Sequence, residues 1–153
     1  MSPAPSLPRL HTLRRADVAT LDWLAGTARE AGCDRWSADG ALDDAVGASD
    51  VLVAGAGECL IECATGAPKA DCATVRFIAV SPGRRRLGTG HRSVLALERR
   101  LRKQAARCYV VVPSRTGLAL YFWLRLGYRP LTQREWPGPP PDAPSVWMVR
   151  ELD

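Results

Sequence analysis

The sequence contains no run of apolar residues long enough to cross a bilayer as a helix. Its opening residues, MSPAPSLPRL, lack the apolar core of a signal peptide. These absences predict a cytoplasmic protein with a short flexible lead-in over residues 1–9. No C-x-x-C pair occurs among the five cysteines, Cys33, Cys59, Cys63, Cys72 and Cys108, and their number is odd. Both facts argue against a structural zinc site and against a disulfide framework. Reduced thiols packed as small core residues are the expectation, and no metal is predicted. Internal repeats are absent too, and no linker is long enough to divide the 153 residues. One domain over residues 10–153 follows, large enough for a core of its own.

Hydrophobic content of 46% and charged content of 24% are those of an ordinary globular chain. The net charge of +5 is spread unevenly. From Arg84 to Arg107 nine basic residues face a single acid, Glu98. From Asp17 to Asp50 eight acids face Arg29 and Arg35. Solvated helix faces explain most of these residues one by one. The asymmetry as a whole points to two partners of opposite charge, or to two ends of one site.

Leu10–Arg14 reads as a short strand, and Asp17 as the cap of a helix that runs to Gly32. Val18, Leu21, Leu24 and Ala28 recur along that helix at helical spacing. SADGALDDAVGASD predicts a second, shorter helix with Leu42, Ala45 and Val46 inward and Asp43 and Asp44 outward. DVLVAGAGECLIECATG predicts a hairpin turning at Gly-Ala-Gly, and ATVRFIAV a buried strand. Cys59 and Cys63, four apart on the hairpin's second strand, share one face. Val94, Leu97, Leu101 and Ala105 then mark a helix, CYVVVP a strand, and GLALYFWLRLG a helix ending at Gly127. YRPLTQREW and SVWMVREL read as two closing strands around the stiff loop PGPPPDAP. The fold class is therefore α/β (α+β): a mixed, mostly antiparallel sheet of about seven strands flanked by about four helices.

The stretch SPGRRRLGTGHRS, residues 81–93, joins a strand to a helix through glycines and three successive arginines. A helix leaves its first N–H groups without internal partners, and its dipole favours an anion there. Gly88 and Gly90 would let a phosphate approach the backbone. A P-loop is excluded, because no Lys-Ser or Lys-Thr follows. A dinucleotide fold is opposed on two counts. Ser93 stands where a third glycine belongs, and CYVVVP carries no acid. The remaining pattern is R-x-x-G-x-G, from Arg85 through Gly88 to Gly90.

AVSPGRRRLGTG resembles the coenzyme A motif of the GNAT superfamily of N-acetyltransferases, [QR]-x-x-G-x-[GA]. GLALYFWLRLGYRPL is similar to the family's second signature, a helix ending in Gly-aromatic at Gly127-Tyr128. The order of elements agrees as well. The resemblance implies an acetyl-CoA-dependent N-acyltransferase, acting on a small-molecule or protein amine by direct attack on the thioester. It implies that the backbone of Ile78, Ala79 and Val80 pairs with the pantetheine arm. Backbone N–H groups across Arg85, Arg86, Leu87, Gly88, Thr89 and Gly90, with His91 as a further candidate, would hold the pyrophosphate. Arg84 or Arg86 would reach a phosphate.

The resemblance also implies a tyrosine that protonates the leaving thiolate. Counting back from Gly127 places Trp123 there, and counting forward from Ser114 places Tyr121 there. Residues two apart on a helix point in opposite directions, so only one of them faces the thioester. The comparable strand carries no acid, which leaves Glu58 and Glu62 as candidate water-mediated bases, or proximity with bulk water as proton acceptor. Trp23, Trp36, Trp136 and Trp147 fall in the segments that form the family's acceptor pocket, where nearby aspartates would suit a cationic amine. The expected partners are an acyl-CoA and an amine acceptor, with a homodimer left open and no membrane. The alternative is a non-catalytic acyl-CoA-binding regulatory module of the same fold. A nucleic-acid binder ranks third, because no aromatics interleave the basic residues.

Overall fold

The computed structural model describes residues 6–85, 87–113, 117–139 and 144–152. Seven strands form one mixed sheet in the order β1-β2-β3-β4-β5-β7-β6. They are β1 (Leu10–Thr12), β2 (Val51–Ala54), β3 (Cys59–Thr65), β4 (Cys72–Val80), β5 (Arg107–Pro113), β6 (Arg129–Pro130) and β7 (Ser145–Glu151). The helices are α1 (Asp17–Thr20), α2 (Leu24–Glu30), α3 (Asp34–Ser37), α4 (Ala41–Ala45), α5 (Thr89–Leu101) and α6 (Gly117–Arg125). Among the described residues the sheet has the expected seven strands, and six α-helices stand where about four are expected.

Half of the difference comes from the segment between Asp17 and Gly32. Its helix breaks after Thr20 and resumes at Leu24. Leu21 and Leu24 are both buried, and the Leu24 N–H bonds the Leu21 carbonyl at 3.0 Å, a tighter i→i+3 turn. Trp23 meanwhile donates its indole N–H to the Gly57 carbonyl at 3.3 Å. Helical periodicity survives such a break, so spacing alone does not reveal it. Gly32 is the stop the sequence predicts: its N–H bonds the Arg29 carbonyl, and that of Cys33 bonds Ala28. The extra helix, α3, is one turn that carries Trp36 into the core.

The chain packs as two compact units. The first comprises residues 1–62 and 77–97. Leu13, Leu21, Leu24, Trp36, Val51, Val53 and Leu60 form its core. β1, β2 and the start of β3 make an antiparallel meander, with Ala54 opposite Cys59 across the Gly55–Glu58 turn. Cys59 is fully buried, and burial pushes its thiol up to about 12, which makes it a core residue and not a nucleophile. None of the five cysteines is in a disulfide.

The second unit comprises residues 63–76 and 98–153. Within it β4 pairs with β5 in parallel from Cys72 opposite Arg107 to Val75 opposite Val110. β5 pairs with β7 along seven antiparallel rungs. YRPLTQREW yields only the two-residue edge strand β6, where Pro130 is tolerated. The rest turns into a 3-10 segment, Gln133–Glu135, capped reciprocally by Thr132 and Glu135. The reason lies in the sequence T-Q-R-E, a capping box that outcompetes strand pairing.

Gly127 ends α6 with φ +94°. Its N–H bonds the Leu124 carbonyl, that of Tyr128 bonds Trp123, and the two rings meet edge to face at 4.9 Å. The Gly-Tyr pair is therefore a Schellman stop with its apolar contact. The Tyr128 hydroxyl donates to Glu98 Oε2 at 2.7 Å, and Arg150 Nη1 donates to Glu98 Oε1 at 2.8 Å. Glu98 is 1% exposed, so this pair of partners is what allows a carboxylate there at all.

Asp17 does not cap a helix, as predicted, but begins α1 and turns its carboxylate back. Oδ2 accepts the Arg14 N–H at 2.8 Å and faces His11 Nε2 at 3.1 Å. Burial alone would raise its pKa. The Arg14 N–H and the His11 and Arg14 side chains outweigh burial and hold it below the usual carboxylate value. A depressed pKa stabilises the fold above the unfolded carboxyl value, and that stability is lost as pH falls. Asp17→Asn should therefore cost about 1 kcal/mol at neutral pH. The difference in Tm from wild type should shrink below about pH 4. Thermal melts across that range check it, and a difference independent of pH contradicts it.

Candidate functional site

In the first unit, β4 ends at Val80 and Pro82 stops it from continuing. The Ser81 N–H bonds the Glu58 carbonyl at 2.9 Å, and the chain then makes one 3-10 turn, Pro82–Arg84. The Arg84 N–H bonds the Ser81 carbonyl at 2.8 Å. Arg86 lies outside the described residues. Gly88 has φ +78°, a conformation that other residues rarely adopt. A Cβ placed there would also meet Arg92 Nη1 at 2.9 Å.

α5 starts at the next residue. Its first intrahelical bond runs from the Arg92 N–H to the Gly88 carbonyl at 3.0 Å. The N–H groups of Thr89, Gly90 and His91 precede that bond and have no intrahelical acceptor. Thr89 and Gly90 are buried, His91 is half-buried and Leu87 is exposed. Ser93 fixes the first turn by donating its hydroxyl to the Thr89 carbonyl at 2.7 Å.

The loop's described arginines are not free. Arg84 Nη2 lies 3.4 Å from Glu58 Oε1. Arg85 Nη2 donates to Thr27 Oγ1 at 3.1 Å. Arg92 Nη1 donates to the Leu87 carbonyl at 2.9 Å. Nothing in the run of three arginines signals these partners. Sequence reasoning does not single out Arg92; its signal is the four-residue spacing from Gly88 on the same helical face.

Two of the acceptor-side tryptophans are core residues and not an exposed wall. Trp36 is 1% exposed, stacks on Phe77 with centroids 6.4 Å apart, and donates its indole N–H to Glu62 Oε1 at 3.0 Å. Arg35 takes the other Glu62 oxygen and lies over the Trp36 ring at 4.7 Å. Both oxygens of Glu62 are thus engaged. Trp23 is half-buried. In the second unit Trp147 is buried against Tyr109 and donates to the Gly138 carbonyl at 2.9 Å. Trp136 donates to the Leu131 carbonyl.

Also in the second unit, α6 separates the two candidates for the proton donor. Trp123 is 3% exposed and Tyr121 59% exposed, as residues two apart on a helix require. The other two tyrosines, Tyr109 and Tyr128, are buried. Burial also raises the Tyr128 phenol pKa, with its hydroxyl already given to Glu98. Tyr121 is therefore the tyrosine whose hydroxyl solvent or a ligand can reach.

A model of the Acetyltransferase (GNAT) family matches residues 18–128. No curated protein matches the sequence significantly. Solved structures share the fold at low identity. Ard1 from Thermoplasma volcanium is 15% identical with a TM-score of 0.70, covering 97% of this chain and 99% of that one. N-acetylglutamate synthase from Neisseria gonorrhoeae, solved with coenzyme A and N-acetyl-glutamate, is 19% identical with a TM-score of 0.73. That match covers 98% of this chain and 36% of the synthase. An aminoglycoside 6'-N-acetyltransferase in complex with coenzyme A is 15% identical with a TM-score of 0.64, covering 95% and 97% of the two chains. With the coenzyme motif, the Gly-aromatic stop and the family match in agreement, the chain belongs to the GNAT family of acetyltransferases.

Proposed function

We propose that this protein transfers an acetyl group from acetyl-CoA to an amine. The observation that carries the reading is the start of α5. Gly88 turns the chain with φ +78°, and three helix amides follow without intrahelical acceptors. Such an end suits a pyrophosphate, because N–H donors and the helix dipole both act on it at close range. The amides from Arg85 to Gly90, with His91 beside them, hold the coenzyme in this reading. Ile78, Ala79 and Val80 lie beyond the last rung of the β4–β5 ladder, which ends at Val75. Their backbone takes the pantetheine arm as an added strand edge would. The two coenzyme-bound relatives named above support the choice of ligand.

The acceptor amine must reach the thioester without its proton. Glu62 is held by Arg35 and Trp36, so water is the acceptor of that proton in this reading. Charge that builds on the thioester oxygen is met by a β4 backbone N–H. Tyr121 donates its O–H proton to the departing thiolate. Trp23, the half-buried tryptophan of the first unit, is the remaining aromatic for the acceptor. The alternative of a non-catalytic acyl-CoA-binding module draws on the same engaged carboxylates and on the buried Trp123.

Gly88→Val should weaken acetyl-CoA binding at least about tenfold, since a β-branched residue at that φ strains the turn by roughly 1–3 kcal/mol. Calorimetric titration measures it, with circular dichroism checking that the variant folds. Unchanged affinity removes the coenzyme loop from the account.

Thiol release from acetyl-CoA in the presence of a panel of amines separates enzyme from binding module. Turnover should appear, and Tyr121→Phe should lower kcat about a hundredfold with little change in KM. Binding without turnover on any amine favours the module. An unchanged kcat in the variant assigns the proton to water instead.

A further inference from the structure

We propose that Glu58 is a positioning residue for the coenzyme loop, acting through Arg84 and Ser81, and not a proton acceptor; this rests on the coenzyme reading above. Glu58 closes the turn between β2 and β3, where its N–H bonds the Ala54 carbonyl at 3.2 Å. Its side chain folds back over Gly55. A Cβ at that position would come within 2.9 Å of Glu58 Oε2, so the glycine leaves the carboxylate its place. From there Glu58 holds the loop twice. Its carbonyl accepts the Ser81 N–H at 2.9 Å, and Oε1 faces Arg84 Nη2 at 3.4 Å.

Those two grips lie at opposite ends of the 3-10 turn. The turn closes on itself through the Arg84 N–H and the Ser81 carbonyl. The hairpin turn, the 3-10 turn and the carboxylate thus make one closed ring of contacts at the mouth of the loop. Glu58 also lines a cavity of about 350 Å³ with Arg9, Gly55, Thr89 and Arg92, which sets it beside the first turn of α5. Among the described residues, two further arginines at the loop have partners, Arg85 the Thr27 hydroxyl and Arg92 the Leu87 carbonyl. Two of these contacts, Ser81 N–H to the Glu58 carbonyl and Arg92 to the Leu87 carbonyl, hold the loop's backbone directly, which is the part a pyrophosphate would use.

The sign of one measurement separates a brace from a competitor. If Arg84 served mainly as a phosphate ligand restrained by Glu58, removing the Glu58 charge would release it and tighten binding. If the pair braces the loop, the same change loosens binding. Glu58→Gln keeps the carbonyl that holds Ser81 and removes only the charge.

Titration of acetyl-CoA into wild type, Glu58→Gln, Arg84→Gln and the double variant tests the proposal. Each single change should raise Kd about two- to fivefold, the range of a half-exposed ion pair. The double variant should bind no more weakly than the weaker single one, because both changes break one contact. At saturating acetyl-CoA, kcat should stay within about twofold, and the acid limb of the pH–rate profile should not move. Tighter or unchanged binding, additive losses, or a collapse of kcat with loss of the acid limb would each overturn it. Failure of the wild type to bind acetyl-CoA is a different result, which removes the coenzyme reading itself.

Discussion

A helix cannot bond its own first N–H groups, and the candidate site is built on that constraint. At the start of α5 the amides of Thr89, Gly90 and His91 precede the first intrahelical bond, and the chain turns toward them with a glycine at φ +78°. Four contacts of described residues keep the arrangement in place. Ser93 ties the first helical turn from inside, and Arg92 ties the loop from its own helix. Glu58, in the turn before β3, and Thr27, in α2, hold Arg84 and Arg85. A loop held at so many points loses little further freedom when a ligand arrives, which is the physical meaning of preorganisation.

The second unit meets a different constraint. Glu98 is a buried carboxylate, tolerable only because Tyr128 and Arg150 each give it a donor. Arg150 Nη1 also donates to the Leu126 carbonyl at 2.8 Å, just past the end of α6. Tyr128 therefore has two tasks. Its ring completes the helix stop against Trp123, and its hydroxyl satisfies Glu98. The family's Gly-aromatic signature is, in this chain, a helix terminator joined to a buried polar cluster. With Trp123 held inward by that contact, Tyr121 is left facing outward.

Much of this was legible in the sequence. The strand-loop-helix order around Gly88 and the stops at Gly32 and Gly127 follow from local rules. The break between α1 and α2 was not legible, because Leu21 and Leu24 satisfy helical spacing on either side of it. The sequence T-Q-R-E fits a capping box, but within YRPLTQREW it reads as part of a strand. Trp36 and Trp147 look like an acceptor wall in one dimension and are core residues in three. Glu58 and Glu62 read as free carboxylates until tertiary packing brings Arg84, Arg35 and Trp36 to them. The pattern is physical. Turns and caps are written within a few residues, whereas the partners of a charged side chain come from segments far along the chain.

The central claim is that the start of α5 holds the pyrophosphate of an acyl-CoA. Thermal unfolding with acetyl-CoA, longer acyl-CoAs and NAD, each in large excess, tests it most directly on the unaltered protein. A ligand bound at about a hundredfold over its Kd adds roughly 2.7 kcal/mol to the folded state. For a chain of this size that raises Tm by about 5 °C or more. The account predicts that rise with acetyl-CoA and no rise with NAD. Stabilisation by NAD with none from acetyl-CoA would contradict it.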